Sequence, residues 1–330
     1  MPAPLVSVII PTIHRPQLLQ RALDGVWRQT MGEFEAIVVV DGADNGTAQV
    51  LASISDPRLR VKALTAGLGS AGARNAGVRE AGGRWIAFLD DDDEWFAEKL
   101  EIQLQTAEHS PYPHPIVSCR FIARSEQGDL VWPRRLPAMA EPISEYLFCQ
   151  RGIRGGEGLV LPSTVLTSKD LLLQVPFRAE LPRHNDVDWL LRVTKVEGAK
   201  IVFAPDPDPL AIWHIESGRA RISNTADWRY SLSWIEANRA LVTPRGFASF
   251  LLIWVSATAA RGRRWMAFWM LPWAAFTKGR PRAIDFLAHA LIWFVPQRTR
   301  NRLSVLLEKM RRPASAQRNA PHRIRPKTFV

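Results

Sequence analysis

The chain of 330 residues predicts an α/β fold: a parallel sheet with helices on both faces, followed by a helical, basic extension. Two observations carry this. In the first part of the chain, short β-branched runs alternate with segments of helical period, through to a fourth strand. After Gly246 the pattern changes to apolar blocks of 12 to 14 residues separated by clusters of arginine.

The elements follow in order. "LVSVIIPT" is a β-branched run closed by proline, as a buried strand should be. "QLLQRALDGVWRQT" places Leu18, Leu19, Ala22, Leu23 and Val26 at helical spacing. "FEAIVVVDGADNGT" is a second strand ending in Gly, Asp and Asn turn chemistry. "GTAQVLASI" starts a helix, "LRVKALTA" a third strand, "GSAGARNAGVREAGG" a glycine-rich turn into a helix, and "RWIAFLD" the fourth strand. Sheets of this kind bind ligands off the carboxyl ends of their strands. The polar loops 12–15, 41–45 and 90–93 all follow strands, so they should converge on one nucleotide-sized crevice. From Pro111 the pattern turns irregular, with many Pro and Gly, which suits mixed strands and loops. "LPRHNDVDWLLRVTKVEG" is the clear helix there, and no internal repeat is visible. The expected division is 1–110, 111–225, an apolar and basic extension over 226–312, and a disordered basic tail over 313–330.

Net charge is +11, but it is not evenly spread. Residues 261–330 carry 16 Lys and Arg against two acids, a net of +14, which leaves the first 260 residues at −3. That asymmetry points to an anionic partner for the C-terminal region. Cys119 and Cys149 lack disulfide-framework or metal-site spacing, as expected of a reducing, cytoplasmic compartment. The N-terminus lacks signal-peptide features, and no run reaches the roughly 20 apolar residues of a spanning helix.

The run "WIAFLDDDDEWF" carries the chemistry. Carboxylates crowded at the end of a buried strand repel one another unless a cation compensates them. Hard divalent cations such as Mg²⁺ or Mn²⁺ take oxygen ligands, usually one or two carboxylates plus substrate phosphates. The remaining acids would bind ribose hydroxyls or hold the turn. The bland alternative is a solvated acidic loop, which fits poorly after so apolar a strand.

Taken together, "SVIIPT", "ARNAGVREAGGRWIAFLDDDDEW" and "HNDVDWLLR" resemble the family 2 glycosyltransferases of GT-A fold, over roughly residues 4–222. The resemblance implies a nucleotide-sugar-binding half over 1–110 and an acceptor-binding half over 111–225. It implies that Pro11, Thr12, Arg15 and Asp41 meet the nucleotide, and that Arg74 supports the nucleotide and the acidic loop. Asp90, Asp91 and Asp92 match the family's Asp-x-Asp motif, with Asp92 the foremost metal ligand and Asp91 facing ribose or metal. Asp186 falls at the catalytic base of an inverting, metal-dependent reaction; from the residues alone it is equally an N-cap. His214 falls near a position where some relatives complete the metal site, and a satisfied structural histidine is the other reading. Arg219 and Arg221 could meet the diphosphate, His184 the acceptor, and Asp188 should hold the helix or the acceptor loop. Two departures stand out: Val40 replaces the first of two aspartates after the second strand, and Asn185 replaces a glutamate before the base.

The implied partners are a nucleotide-diphosphate sugar donor and a glycan or lipid-linked acceptor of an envelope polysaccharide. A sugar-nucleotide nucleotidyltransferase would need a Gly-rich basic loop after the first strand, and "PTIHRP" is not one. An inactive, membrane-bound scaffold is favoured only by Val40 and Asn185. The apolar blocks after Gly246, rich in Trp and flanked by Arg, suit helices lying in a membrane interface on anionic head groups, at the inner face of the cytoplasmic membrane. The alternative is a helical cap on the catalytic domain. Nucleic acid is not an expected partner, because the aromatics sit apart from the basic residues.

Overall fold

The computed structural model describes residues 3–152, 155, 157–205, 208–215 and 227–311. Four strands, β1 (Val6–Thr12), β2 (Phe34–Val40), β3 (Leu59–Ala63) and β4 (Trp85–Phe88), alternate with α1 (Pro16–Trp27), α2 (Asn45–Ala52) and α3 (Gly69–Glu80), as the periodicities predict. Proline at the start of α1 presets its first turn, and the Asp44 carboxylate caps α2 by accepting from the Thr47 amide. β1 is buried on both faces. Val6, Val8 and Ile10 join one core with Leu19 and Leu23 of α1, while Ile9 joins the other with Ala73 and Ala76 of α3.

The chain continues through β5 (Glu94–Trp95), α4 (Lys99–Glu108), β6 (His114–Ser118), β7 (Phe121–Ser125), β8 (Gly128–Trp132), α5 (Ile143–Phe148), β9 (Leu166–Ser168), α6 (Lys169–Gln174), α7 (Asn185–Val193), β10 (Ala199–Phe203) and β11 (Ala211–Ile215). The main sheet has seven strands in the order β10-β6-β9-β4-β1-β2-β3, with β9 antiparallel to its two neighbours and the other pairings parallel. A second sheet runs β5-β11-β7-β8. The boundary expected at residue 110 therefore falls inside one continuous sheet, since β6, β9 and β10 extend it. The chain leaves β1 towards β2 on one side and returns to β4 on the other. That switch point opens a crevice at the carboxyl ends of β1 and β4.

The C-terminal helices are α8 (Trp228–Ala237), α9 (Pro244–Ser249), a π-helical segment (Phe250–Val255), α10 (Ser256–Arg261), α11 (Trp265–Lys278), α12 (Ala283–Phe294) and α13 (Gln297–Arg311). Trp234, Phe247, Phe250, Leu251 and Leu271 share one buried core with Phe88, Phe148, Trp189 and Leu190, so this region caps the α/β fold. The polar interruptions of the apolar blocks point inward. Asp285 accepts from Arg245 and Ser249, at 2.6 and 2.8 Å. Pro272 has no N–H to offer the carbonyl of Phe268 one turn back, and His289 Nε2 takes that oxygen at 3.1 Å.

Candidate functional site

Because β1, β2 and β4 are parallel, their polar ends lie along one edge of the sheet. Thr12, the last residue of β1, donates through Oγ1 to Asp91 Oδ2 at 2.7 Å. Arg15 reaches the other oxygen of Asp91 at 3.2 Å and lies 3.6 Å from Asp92. Arg21 of α1 donates to the main-chain oxygen of Asp92 at 2.8 Å. The loop after β1 thus grips the acidic run from one side. From the other, the buried Arg74 of α3 forms an ion pair with Asp90. Asn75 next to it exchanges two hydrogen bonds with the main chain of Phe177, pinning the approach to α7.

The four aspartates are not equivalent. Asp93 is buried and accepts from Ser163 Oγ, which itself accepts from the Asp90 amide. Burial, then repulsion from Asp90 and Asp92, drives its pKa well above the ordinary range. Asp91 is pushed up to about 6, by burial first and by its acidic neighbours, against the pull of Thr12 and Arg15. Asp92, its side chain 23% exposed, is more open than Asp91 and Asp93, while Asp90 is 31% exposed and held by Arg74.

Asp186 lies in the first turn of α7, and the N-cap position belongs to His184 in the left-handed conformation, φ 67°. The N-cap reading of Asp186 therefore does not hold. Its carboxylate feels the charges of both Arg74 and Asp90, so α7 brings it within electrostatic reach of that ion pair. Burial raises its pKa, ahead of the lowering by Arg74. The cause is visible in the cleft it shares with Phe88, Pro162, Phe177 and Trp189. Asp188 is fully buried and binds Arg178 and Arg192, at 3.1 and 2.6 Å, so it holds the helix as expected.

Residues 7–172 match the family described as glycosyl transferase family 2, which is half of the chain. The chain belongs to glycosyl transferase family 2. It is 29% identical over 250 residues to the amylovoran biosynthesis glycosyltransferase AmsB of Erwinia amylovora, covering 72% of this chain and 79% of that one. It is 37% identical over 100 residues, 30% of this chain and 40% of the other, to WfgD of Escherichia coli, a UDP-Glc:alpha-D-GlcNAc-diphosphoundecaprenol beta-1,3-glucosyltransferase. Among solved structures, the mannosyltransferase PcManGT from Pyrobaculum calidifontis, in complex with GDP-Man and Mn²⁺, superposes with a TM-score of 0.53 at 19% identity, over 93% of this chain and 85% of that one. That likeness establishes the GT-A fold.

In this glycosyltransferase the structure joins Thr12, Arg15, Asp91 and Asp92 in one network, pairs Arg74 with Asp90, and sets Asp186 within electrostatic reach of that pair, while Pro11 precedes Thr12 in buried β1. Asp41 has partners of its own: its two oxygens accept from the amides of Leu68 and Gly69 at 2.6 and 2.9 Å, tying β2 to the start of α3. Val40 joins the core on the α1 side of the sheet, so strand alternation denies Asp41 the place of a carboxylate at position 40. His214 is drawn to Glu94, Nε2 to Oε1 at 2.6 Å, across the antiparallel pair β5 and β11. The expected set of Asp91, Asp92 and His214 is not assembled as a protein cage; among the described residues no three His, Cys, Asp or Glu side chains are arranged to hold a metal. His184 is also reassigned. It is buried, its Nε2 lies 2.9 Å from Ser231 Oγ, and its ring packs among Tyr230, Trp234 and Phe250. It therefore docks the C-terminal helices on the catalytic fold instead of facing an acceptor. Arg219, Arg221 and the tail over 313–330 lie outside the described residues. Sequence reasoning missed Arg21, Asn75, Asp93 and Ser163. Of these, Asn75 and Asp93 stood in quoted motifs, directly beside the assigned Arg74 and Asp92.

Proposed function

We propose that the protein transfers a sugar from a nucleotide-diphosphate donor to a hydroxyl of a glycan or lipid-linked acceptor, with inversion, in the assembly of an envelope polysaccharide. The observation that carries the reading is the electrostatic reach of Asp186 to the Arg74–Asp90 ion pair at the switch point of the sheet. The donor would lie over the ends of β1 and β4, with Thr12 and Asp91 beside the nucleotide and Arg15 towards the diphosphate. Asp186 would accept the proton of the acceptor hydroxyl as its oxygen attacks the anomeric carbon from the face opposite the leaving diphosphate. A raised pKa suits that role, because a more basic carboxylate is a better proton acceptor provided it is ionised. Names of the relatives that refer to amylovoran biosynthesis and to a diphosphoundecaprenol acceptor support the substrate class.

The residues fit a divalent cation held mainly by substrate. Asp92 is partly exposed at the crevice and shares Arg15 with Asp91 beside it. Mg²⁺ and Mn²⁺ bind through one or two carboxylates plus phosphates, so Asp92, with Asp91 beside it, would be the protein's share. When bound, such an ion supplies Lewis-acid neutralisation of the charge that builds on the departing diphosphate.

The test is the melting temperature with UDP, GDP, dTDP and CMP, each with Mn²⁺ and again with EDTA. A ligand that binds only the native state raises apparent stability, by about 2.7 kcal/mol at a hundredfold excess over Kd. One nucleotide should raise the melting temperature only with metal, and Asp92→Ala should abolish the rise. Folded protein that responds to none of them would overturn the reading.

A further inference from the structure

α11 has two opposed faces. Ala267, Leu271 and Ala275 recur every fourth residue and are fully buried beneath it. Trp265, Met266, Trp269, Trp273 and Phe276 project from the other side, with Trp269 75% and Trp273 70% exposed. At helical spacing these five fall within an arc of about 100°, opposite the buried three. The face does not stop at the helix. The ring of Phe294 in α12 lies 6.2 Å from that of Trp265, and Phe286 and Leu287 of α12 are exposed as well. An apolar surface of this extent in a folded protein calls for an occupant.

The charges beside it say which one. Arg263 and Arg264 precede α11, Lys278 ends it, and Arg280 and Arg282 follow it, all exposed. No acidic residue occurs between Arg261 and Asp285, and Asp285 is buried against Arg245 and Ser249. Lys278 makes its ion pair with Glu236 of α8. A tryptophan-rich strip with cations at both ends matches the layering of a lipid surface: rings at the level of the head groups, cations on the phosphates. α11 has 14 residues, about 21 Å at the helical rise, against about 30 Å of bilayer hydrocarbon, so it is suited to lie in the interface and not to cross. A second copy of this chain is a poor occupant, because pairing this face with itself would set like-charged rims against each other.

We infer that the exposed face of α11, continued by α12, seats the protein on an anionic lipid bilayer. The helix lies parallel to the surface, its tryptophans enter the head-group layer, and its buried face keeps the catalytic fold attached. This inference stands on the exposed face and its charges, independently of the catalytic assignment.

The experiment is co-sedimentation of the full chain with phosphatidylcholine vesicles, with and without phosphatidylglycerol. Binding should require the anionic lipid and fall as salt rises, since exposed charges are screened within about 10 Å at 0.1 M. Trp269→Ser combined with Trp273→Ser removes only exposed side chains. The double variant should keep its melting temperature and its nucleotide-induced shift, while losing at least about tenfold in vesicle affinity. Retention of the nucleotide shift separates failure of the seat from failure of the active site. Unchanged vesicle affinity in the double variant would overturn the inference, as would equal binding to neutral vesicles. So would a lipid-independent dimer that the double substitution dissolves.

Discussion

Burial raises the pKa of Asp186, and the Arg74 guanidinium, which would lower it, is shared with Asp90, whose charge raises it again. The group must be ionised to take a proton. With Asp186 as the proposed base, activity should follow a carboxylate titrating above the ordinary aspartate value of about 3.9. As pH falls through that raised value the base is protonated and turnover is lost; as pH rises above it, turnover reaches a plateau. Asp186→Asn should lower kcat by about 10²–10⁴-fold, abolish this acid limb, and leave donor binding and melting temperature nearly unchanged. A pH–rate profile with matched thermal melts checks it. If the variant kept the wild-type kcat, the base would have to be sought elsewhere. His184 shows the opposite outcome for a group two residues away. Burial, then Arg183, pushes its pKa down to about 3, so it stays neutral and its ring serves packing.

At the scale of elements, the extension depends on satisfying polar groups within apolar helices. Pro272 sits inside α11, where its ring leaves the carbonyl of Phe268 without a helical donor. His289 of α12 donates to that oxygen through Nε2 and accepts from Ser256 Oγ at Nδ1, while Trp293 donates to the same hydroxyl oxygen. The histidine that interrupts the third apolar block is thus what permits a proline in the second. His289→Leu removes the donor and strands a buried carbonyl and a hydroxyl. It should destabilise the protein by about 1–3 kcal/mol, read as a lower urea midpoint with unchanged slope. Pro272→Ala combined with His289→Leu restores the helical N–H and should recover part of the loss. If the double variant recovered nothing, the link between the two residues would be wrong.

For the whole molecule, Phe250 is the hinge of the argument. It is fully buried and meets His184, Phe148, Trp234 and Trp254, rings drawn from both the catalytic fold and the extension. A core that spans both parts makes them unfold together. Phe250→Ala should cost about 3–5 kcal/mol. It should shift the loss of helical signal and the loss of nucleotide binding to the same lower denaturant concentration. Two separated transitions would instead mark the extension as an independent unit.

β1 to β4 and the intervening α1, α2 and α3 were legible because strand and helix periods come from neighbouring residues, which set local conformation directly. The acidic run at the end of β4 and the basic, aromatic C-terminal blocks were legible for the same reason: each is a contiguous statement of composition. α5 and α6, of six residues each, give too short a period to read, and antiparallel β9 has only three residues. The partners of the site were beyond the sequence as well. Ser163 meets Asp93 across 70 positions, Asn75 meets Phe177 across 102, and His214 meets Glu94 across 120. The sequence by itself determined which parallel strands form and which carboxylates end them, since these are local. Tertiary structure decided that Asp186 comes within electrostatic reach of Arg74 and Asp90, that Asp41 ties β2 to α3, that His184 packs against the C-terminal helices, and which face of α11 stays exposed. Each of those depends on where a distant element packs.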